Sequence, residues 1–171
     1  MKDFLRGYWL YFLGIAALWL GLYWQGRNEV VRVPQRLGGM RGALKVNSLY
    51  IFTQYRGQRL NPGDVVYVAF KRMSRTGGLT DTGWFGRVAA VEGERISMRN
   101  GRVYVNGRRR ALPLVQPSDP RQLVEAQFQM EEVPVPRGCV FVLTDDRSDI
   151  VDSRIMGPIP LWAVTAFRRR R

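Results

Sequence analysis

Gly7 to Gln25 runs for nineteen residues without a formal charge, GYWLYFLGIAALWLGLYWQ. A helix of that length covers roughly 28 Å, close to the hydrocarbon thickness of a bilayer. Aromatics gather at both ends, with Tyr8, Trp9, Tyr11 and Phe12 at one and Trp19, Tyr23 and Trp24 at the other, the pattern of an interfacial belt. A cleaved signal peptide is the competing reading, but Trp24-Gln25-Gly26-Arg27-Asn28 offers no small-x-small cleavage site. A buried soluble helix rarely carries so long a charge-free run with aromatics at both ends. Residues 1–26 are therefore expected to form an uncleaved transmembrane anchor. Gly7, Gly14 and Gly21, with Ala17 four before Gly21, share one helix face where a partner helix can approach closely, although glycine is also simply common in such helices. Cations stand on both sides, Lys2 and Arg6 before the run and Arg27, Arg32, Arg36 and Arg41 after it. Long domains translocate largely regardless of charge, so this count does not set the orientation.

Composition limits the chemistry. The chain has no histidine and a single cysteine, Cys139. Ser-His-Asp and Cys-His machinery, histidine-ligated metals and intramolecular disulfides are excluded. A base working near neutral pH must be a carboxylate or one of three lysines, Lys2, Lys45 and Lys71. The net charge of +13 is almost all arginine, 24 of the 27 cations. Such charge suits an anionic partner.

Residues 27–42 read as a juxtamembrane linker, 43–167 as a mainly β domain, and 168–171 as a basic tail. Asn61-Pro62-Gly63-Asp64 leads into the β-prone run Val65–Phe70, and Arg87–Val91 reads as a second strand. Arg75–Gly83, rich in Gly and Thr, reads as a turn region between them. Ile96 and Met98, then Val103 and Val105, alternate around Asn100-Gly101, a strong signal for a two-residue hairpin. Asn106-Gly107 turns the chain again, a short helix fits around 122–129, and Val140–Leu143 is a further strand.

Three ordered blocks of this domain resemble type I signal peptidases, membrane-anchored proteases that use a Ser–Lys dyad. Gly63-Asp64-Val65-Val66 is similar to the family's Gly-Asp-x-Val strand entry. GRVAAVEGERISMRNGRVYVNG, from Gly86, resembles its Lys-Arg-Val-Val-Gly-x-x-Gly-Asp strand and Asn-Gly hairpin. LTDDRSDIVDSRIMG, from Leu143, resembles its Gly-Asp-Asn-Arg-Asp-Asn-Ser-x-Asp-Ser-Arg segment. The resemblance implies a signal-peptidase-like β domain behind one N-terminal helix, on the exoplasmic (periplasmic) side of an inner or plasma membrane.

The dyad itself does not carry over. The family lysine falls on Gly86, and the hydroxyl that supports it falls on Ile150. A lysine serves as base because burial lowers its pKa, and glycine offers no such group. Arginine stays protonated and cannot replace it. Alignment with the conjugative-transfer branch, on Leu49-Tyr50, puts Leu44 at the nucleophile. A relocated dyad would have to use Ser48 with Lys45 or Lys71. Lys45 lies three before Ser48, a spacing that meets on a helix and diverges on a strand. Asp145, Asp146, Asp149 and Asp152 admit acid–base, metal-binding or structural readings. The resemblance favours the structural one, with Asp145, Arg147, Asp152, Ser153 and Arg154 shaping a loop and Asp152 pairing with Arg154.

The implied function is that of a catalytically inactive family member acting as a structural or peptide-binding subunit of a membrane complex. Backbone pairing with an extended peptide needs no dyad. The alternative is an active endopeptidase that cleaves exported precursors. Expected partners are anionic headgroups, a membrane protein packed against the anchor, and an extended peptide. No cofactor or metal is expected. The runs Arg108–Arg110 and Arg168–Arg171 come with no recognised nucleic-acid motif, so nucleic acid is not the expected partner.

Overall fold

The computed structural model describes residues 2–33, 40, 43–73, 79–112, 129–146 and 152–170. The charge-free run forms most of a helix, α1 (Lys2–Gln25). Its described large apolar and aromatic side chains, from Trp9 to Trp24, are exposed. Among the described residues no helix is long and apolar enough to cross a membrane. The span expected over residues 1–26 is thus not shown among them.

The rest is mainly β, in eleven described strands: β1 (Asn28–Arg32), β2 (Leu49–Gln54), β3 (Val65–Met73), β4 (Leu79–Val91), β5 (Arg95–Arg99), β6 (Arg102–Val105), β7 (Arg108–Arg109), β8 (Met130–Pro134), β9 (Cys139–Leu143), β10 (Ile159–Pro160) and β11 (Val164–Arg168). One four-residue helix, α2 (Ser153–Met156), lies between β9 and β10. The strands form a seven-stranded sheet, β1-β2-β11-β3-β4-β9-β10, and a four-stranded sheet, β7-β6-β5-β8. One row crosses five strands of the larger sheet, with Asn28, Thr53, Phe167, Val66 and Gly86 opposite one another in turn.

Side chains alternate along each strand, while those opposite one another in the row share a face. One face buries Val66, Val68, Trp84, Val142 and Phe167. The other buries Val33, Leu44, Phe52, Val65 and Phe85. A third cluster, with Ala89, Ile96, Met98 and Phe141, joins the inner face of the smaller sheet to the larger one. The β5–β6 hairpin turns at Asn100 and Gly101, with φ of 49° and 73°. Both central residues of a type I′ turn need positive φ, which is why Asn-Gly marks it.

Three sequence expectations change. Residues 28–32, read as linker, pair with β2 as an edge strand, because Val30 and Val31 suit a half-buried pleat. Leu79–Gly83, read as turn, belongs to β4 and pairs with β3. Gly83 is there for close packing, since a Cβ at that position would stand 2.0 Å from Tyr67 Oη. The basic tail begins inside the fold. Arg168 ends β11, and Arg169 Nη1 reaches Asp64 Oδ2 at 2.6 Å. The helix expected near 122–129 lies almost wholly outside the described residues.

Candidate active site

Gly86 sits in β4 opposite Val66. Alternation turns position 86 toward the face that holds Trp84, two residues earlier. A Cβ on Gly86 would stand 2.4 Å from Val142 Cγ1 and 2.5 Å from Trp84 Cζ3, inside the 3.0 Å that real Cβ atoms essentially never breach. Val142 is short and β-branched, so it cannot swing clear. Trp84 is only 8% exposed within the core. The space that a lysine stem would enter is already filled. Trp84 Nε1 is buried without a hydrogen-bond partner, which costs about 1–3 kcal/mol. Apolar packing of the ring therefore outweighs an unmet donor at this point.

Leu44 is 2% exposed and packs with Phe52, Val65 and Phe85. Phe85 lies between two aromatic neighbours, with ring centroids 5.3 Å from Phe52 and 4.8 Å from Tyr67. Residues 85 and 86 point to opposite faces, so the sheet separates Leu44 from Gly86. The two positions aligned with the dyad are not brought together.

Ser48 is half-buried where the chain turns into β2. Its N–H donates to the Lys45 carbonyl at 3.3 Å, and its own carbonyl accepts from Val33 N at 3.1 Å. Lys45 through Ser48 thus form one tight turn, with Asn47 at φ 61°. The Lys45 side chain is exposed. Among the described residues no hydrogen bond joins it to Ser48 Oγ. Lys71 lies in β3 five positions beyond Val66, while Ser48 lies past Leu49 at the opposite end of the sheet. At strand rise, ten positions put the two backbones roughly 30 Å apart.

The third block is a network of buried polar groups. Arg87 donates from Nε and Nη2 to the two Asp145 oxygens at 2.8 and 2.7 Å, and from Nη1 to the Gly63 carbonyl at 2.8 Å. Both partners are buried, and the paired fork satisfies each charge where water cannot. Asp152, fully buried, caps α2 by accepting from Arg154 N at 2.8 Å. It also accepts from Arg154 Nε at 2.9 Å and from Thr144 N at 3.0 Å. Ser153 Oγ accepts from Val142 N at 2.9 Å, which ties α2 to the strand whose side chain closes position 86. Asp145 is thereby committed to the Arg87 guanidinium, and Asp152 to backbone amides and Arg154. Arg147, Asp149 and Ile150 lie outside the described residues.

Neither Trp84 nor Val142 belongs to a motif that marks it as part of the site. The period-2 relation of Trp84 to Gly86 was a readable signal, whereas Val142 meets them only through the β4–β9 register. Asp64, which the sequence marks only as a strand entry, is also a hub. It is 2% exposed and accepts from Asn61 N at 2.9 Å and Arg170 N at 3.2 Å as well as from Arg169.

Comparison with known proteins agrees with the block resemblance. Signal peptidase I of Bacillus caldolyticus is 38% identical over 78 residues, covering 42% of this chain and 43% of that protein. Thylakoidal processing peptidase 1, chloroplastic, of Arabidopsis thaliana is 37% identical over 75 residues, covering 44% of this chain and 20% of that protein. The matched part is thus less than half the length of either relative. A crystal structure of a signal peptidase I from Enterococcus faecalis V583 superposes with a TM-score of 0.46 at 19% identity, over 66% of this chain and 98% of the other. The family model described as "Signal peptidase, peptidase S26" matches residues 6–169. With nearly its whole length inside that match, the chain belongs to the signal peptidase family, peptidase S26.

Proposed function

We propose that this chain is a catalytically inactive member of the family, retained as a structural or peptide-binding subunit of a membrane complex. The observation that carries the reading is Gly86, where even a Cβ would collide with Trp84 and Val142. A lysine base needs a stem, a partly buried seat and a serine within hydrogen-bond reach. At Gly86 the stem is absent and the seat is full. Leu44 is core on the other face, no hydrogen bond among the described residues joins Lys45 Nζ to Ser48 Oγ, and Lys71 lies at the opposite end of the sheet from Ser48.

The same reading makes α1 a membrane anchor. Its exposed side chains, among them Leu13, Ile15, Leu18, Leu20 and Leu22, form an apolar surface far larger than a lone helix keeps in water. The face of Gly7, Gly14, Ala17 and Gly21 suits a partner helix. By family analogy the β domain stands on the exoplasmic side, where anionic headgroups and extended peptides are within reach.

The test is incubation of the purified full chain with a preprotein in detergent, wild type beside Ser48→Ala. No cleavage by either protein is the expected outcome. Cleavage that disappears with Ser48→Ala would establish an active endopeptidase and overturn the proposal.

A further inference from the structure

The outer side of the smaller sheet is rich in exposed arginine, with Ser97 buried among its residues. The sheet's register places Ser97 opposite Tyr104 and Arg99 opposite Arg102, and Tyr104 opposite Arg109 on the next strand. Opposed residues share a face, and so do residues two apart on one strand. Arg95, Arg99, Arg102, Tyr104 and Arg109 therefore share one side, while Ile96, Met98, Val103 and Val105 fill the core on the other. All four arginines are exposed. Arg95 pairs with Glu132, and the Arg99 guanidinium stands 5.7 Å from the Tyr104 ring centroid. Among the described residues, Arg99, Arg102 and Arg109 have no carboxylate within ion-pair reach. Like charges directly opposite on paired strands destabilise a sheet, so Arg99 facing Arg102 works against the fold's own stability.

We propose that this face docks an acidic, Asp/Glu-rich segment of a partner protein. The inference rests on the subunit reading above and names the chemistry of the partner. The residue types favour a protein over the bilayer: arginine and tyrosine are enriched in protein interfaces, and lysine is depleted. A guanidinium fork grips a carboxylate through two parallel hydrogen bonds.

The test uses the full chain in neutral detergent and a fluorescein-labelled glutamate-rich peptide, with binding read by anisotropy across a salt series. A single-stranded oligonucleotide and phosphatidylglycerol nanodiscs serve as competing anions. Salt-sensitive peptide binding is expected. It should fall at least about tenfold in R99E/R102E/R109E and fall similarly in R99Q/R102Q/R109Q. It should persist in R32E/R59E/R137E, which removes the same charge from exposed arginines elsewhere. Equal loss in both reversal variants, no peptide binding, or tighter binding of oligonucleotide or nanodiscs at this face would each overturn the proposal. Serine-dependent cleavage in the preprotein assay would sink the inactive reading alone and leave the peptide result standing.

Discussion

Replacing Gly86 by alanine adds one carbon, and its cost follows from where that carbon must go. On strand propensity alone alanine is better than glycine by about 0.5–1 kcal/mol, so any loss of stability must come from packing. The new Cβ would lie 2.4 Å from Val142 Cγ1 and 2.5 Å from Trp84 Cζ3. Overpacking a filled core costs about 1–3 kcal/mol. For a chain of this size each kcal/mol lowers Tm by about 2–4 °C. With two collisions the upper half of the overpacking range applies, which net of the propensity gain leaves about 1–2.5 kcal/mol. Gly86→Ala should therefore melt about 2–10 °C below wild type, measured on the full chain in detergent by circular dichroism and tryptophan fluorescence. Trp84→Ala alone should cost about 3–5 kcal/mol, less what is regained by removing the unmet Nε1 donor. The double variant decides the matter. With the indole gone, one of the two collisions disappears, and the combined loss should fall short of the sum by about 0.5–3 kcal/mol. A neutral Gly86→Ala, or strict additivity in the double variant, would refute the claim that Trp84 fills the lysine's space.

Other outcomes follow from the polar network. Asp145→Ala leaves Arg87 buried with its charge unmet and should cost about 3–5 kcal/mol by chemical denaturation. Burial pushes the Glu94 carboxyl up, but hydrogen bonds from Arg110 and from Val91 N–H, with the Arg110 charge, outweigh it and hold the group below its usual value. A depressed carboxyl contributes its full stabilisation above the ordinary glutamate pKa of about 4.3 and loses it as pH falls through the lower folded value. Between about pH 6 and pH 3 the denaturation midpoint of wild type should therefore drop further than that of Glu94→Gln. Equal drops would mean that the Glu94–Arg110 pair contributes nothing.

What could be read from the sequence was local or followed a motif. Asn100-Gly101 announces its turn because few residue pairs accept positive φ twice. The glycine at the position that the resemblance aligns with the family lysine shows as a single letter, Gly86, beside Arg87. What could not be read depends on partners far away in the chain. The closing of position 86 needs Val142, and that contact depends on a β4–β9 register shifted between Val88 and Ala90. Leu79–Gly83 looks like a turn in composition and becomes strand because β3 lies alongside it. Asn28–Arg32 is too short a run to declare itself before β2 is in place.

The position of β11 has a consequence for when this domain can fold. β2 and β3 are consecutive in the chain, yet β11 lies between them and joins them, pairing with both. Its residues, 164–168, come about a hundred positions after those of β3. An inner strand of the larger sheet is thus supplied by the last of the described strands in chain order. Until it arrives, the β1–β2 ribbon has no strand connecting it to the β3–β4 pair. Contacts of such sequence separation close slowly. Until β11 is in place, the two parts of the larger sheet that it joins stay unconnected.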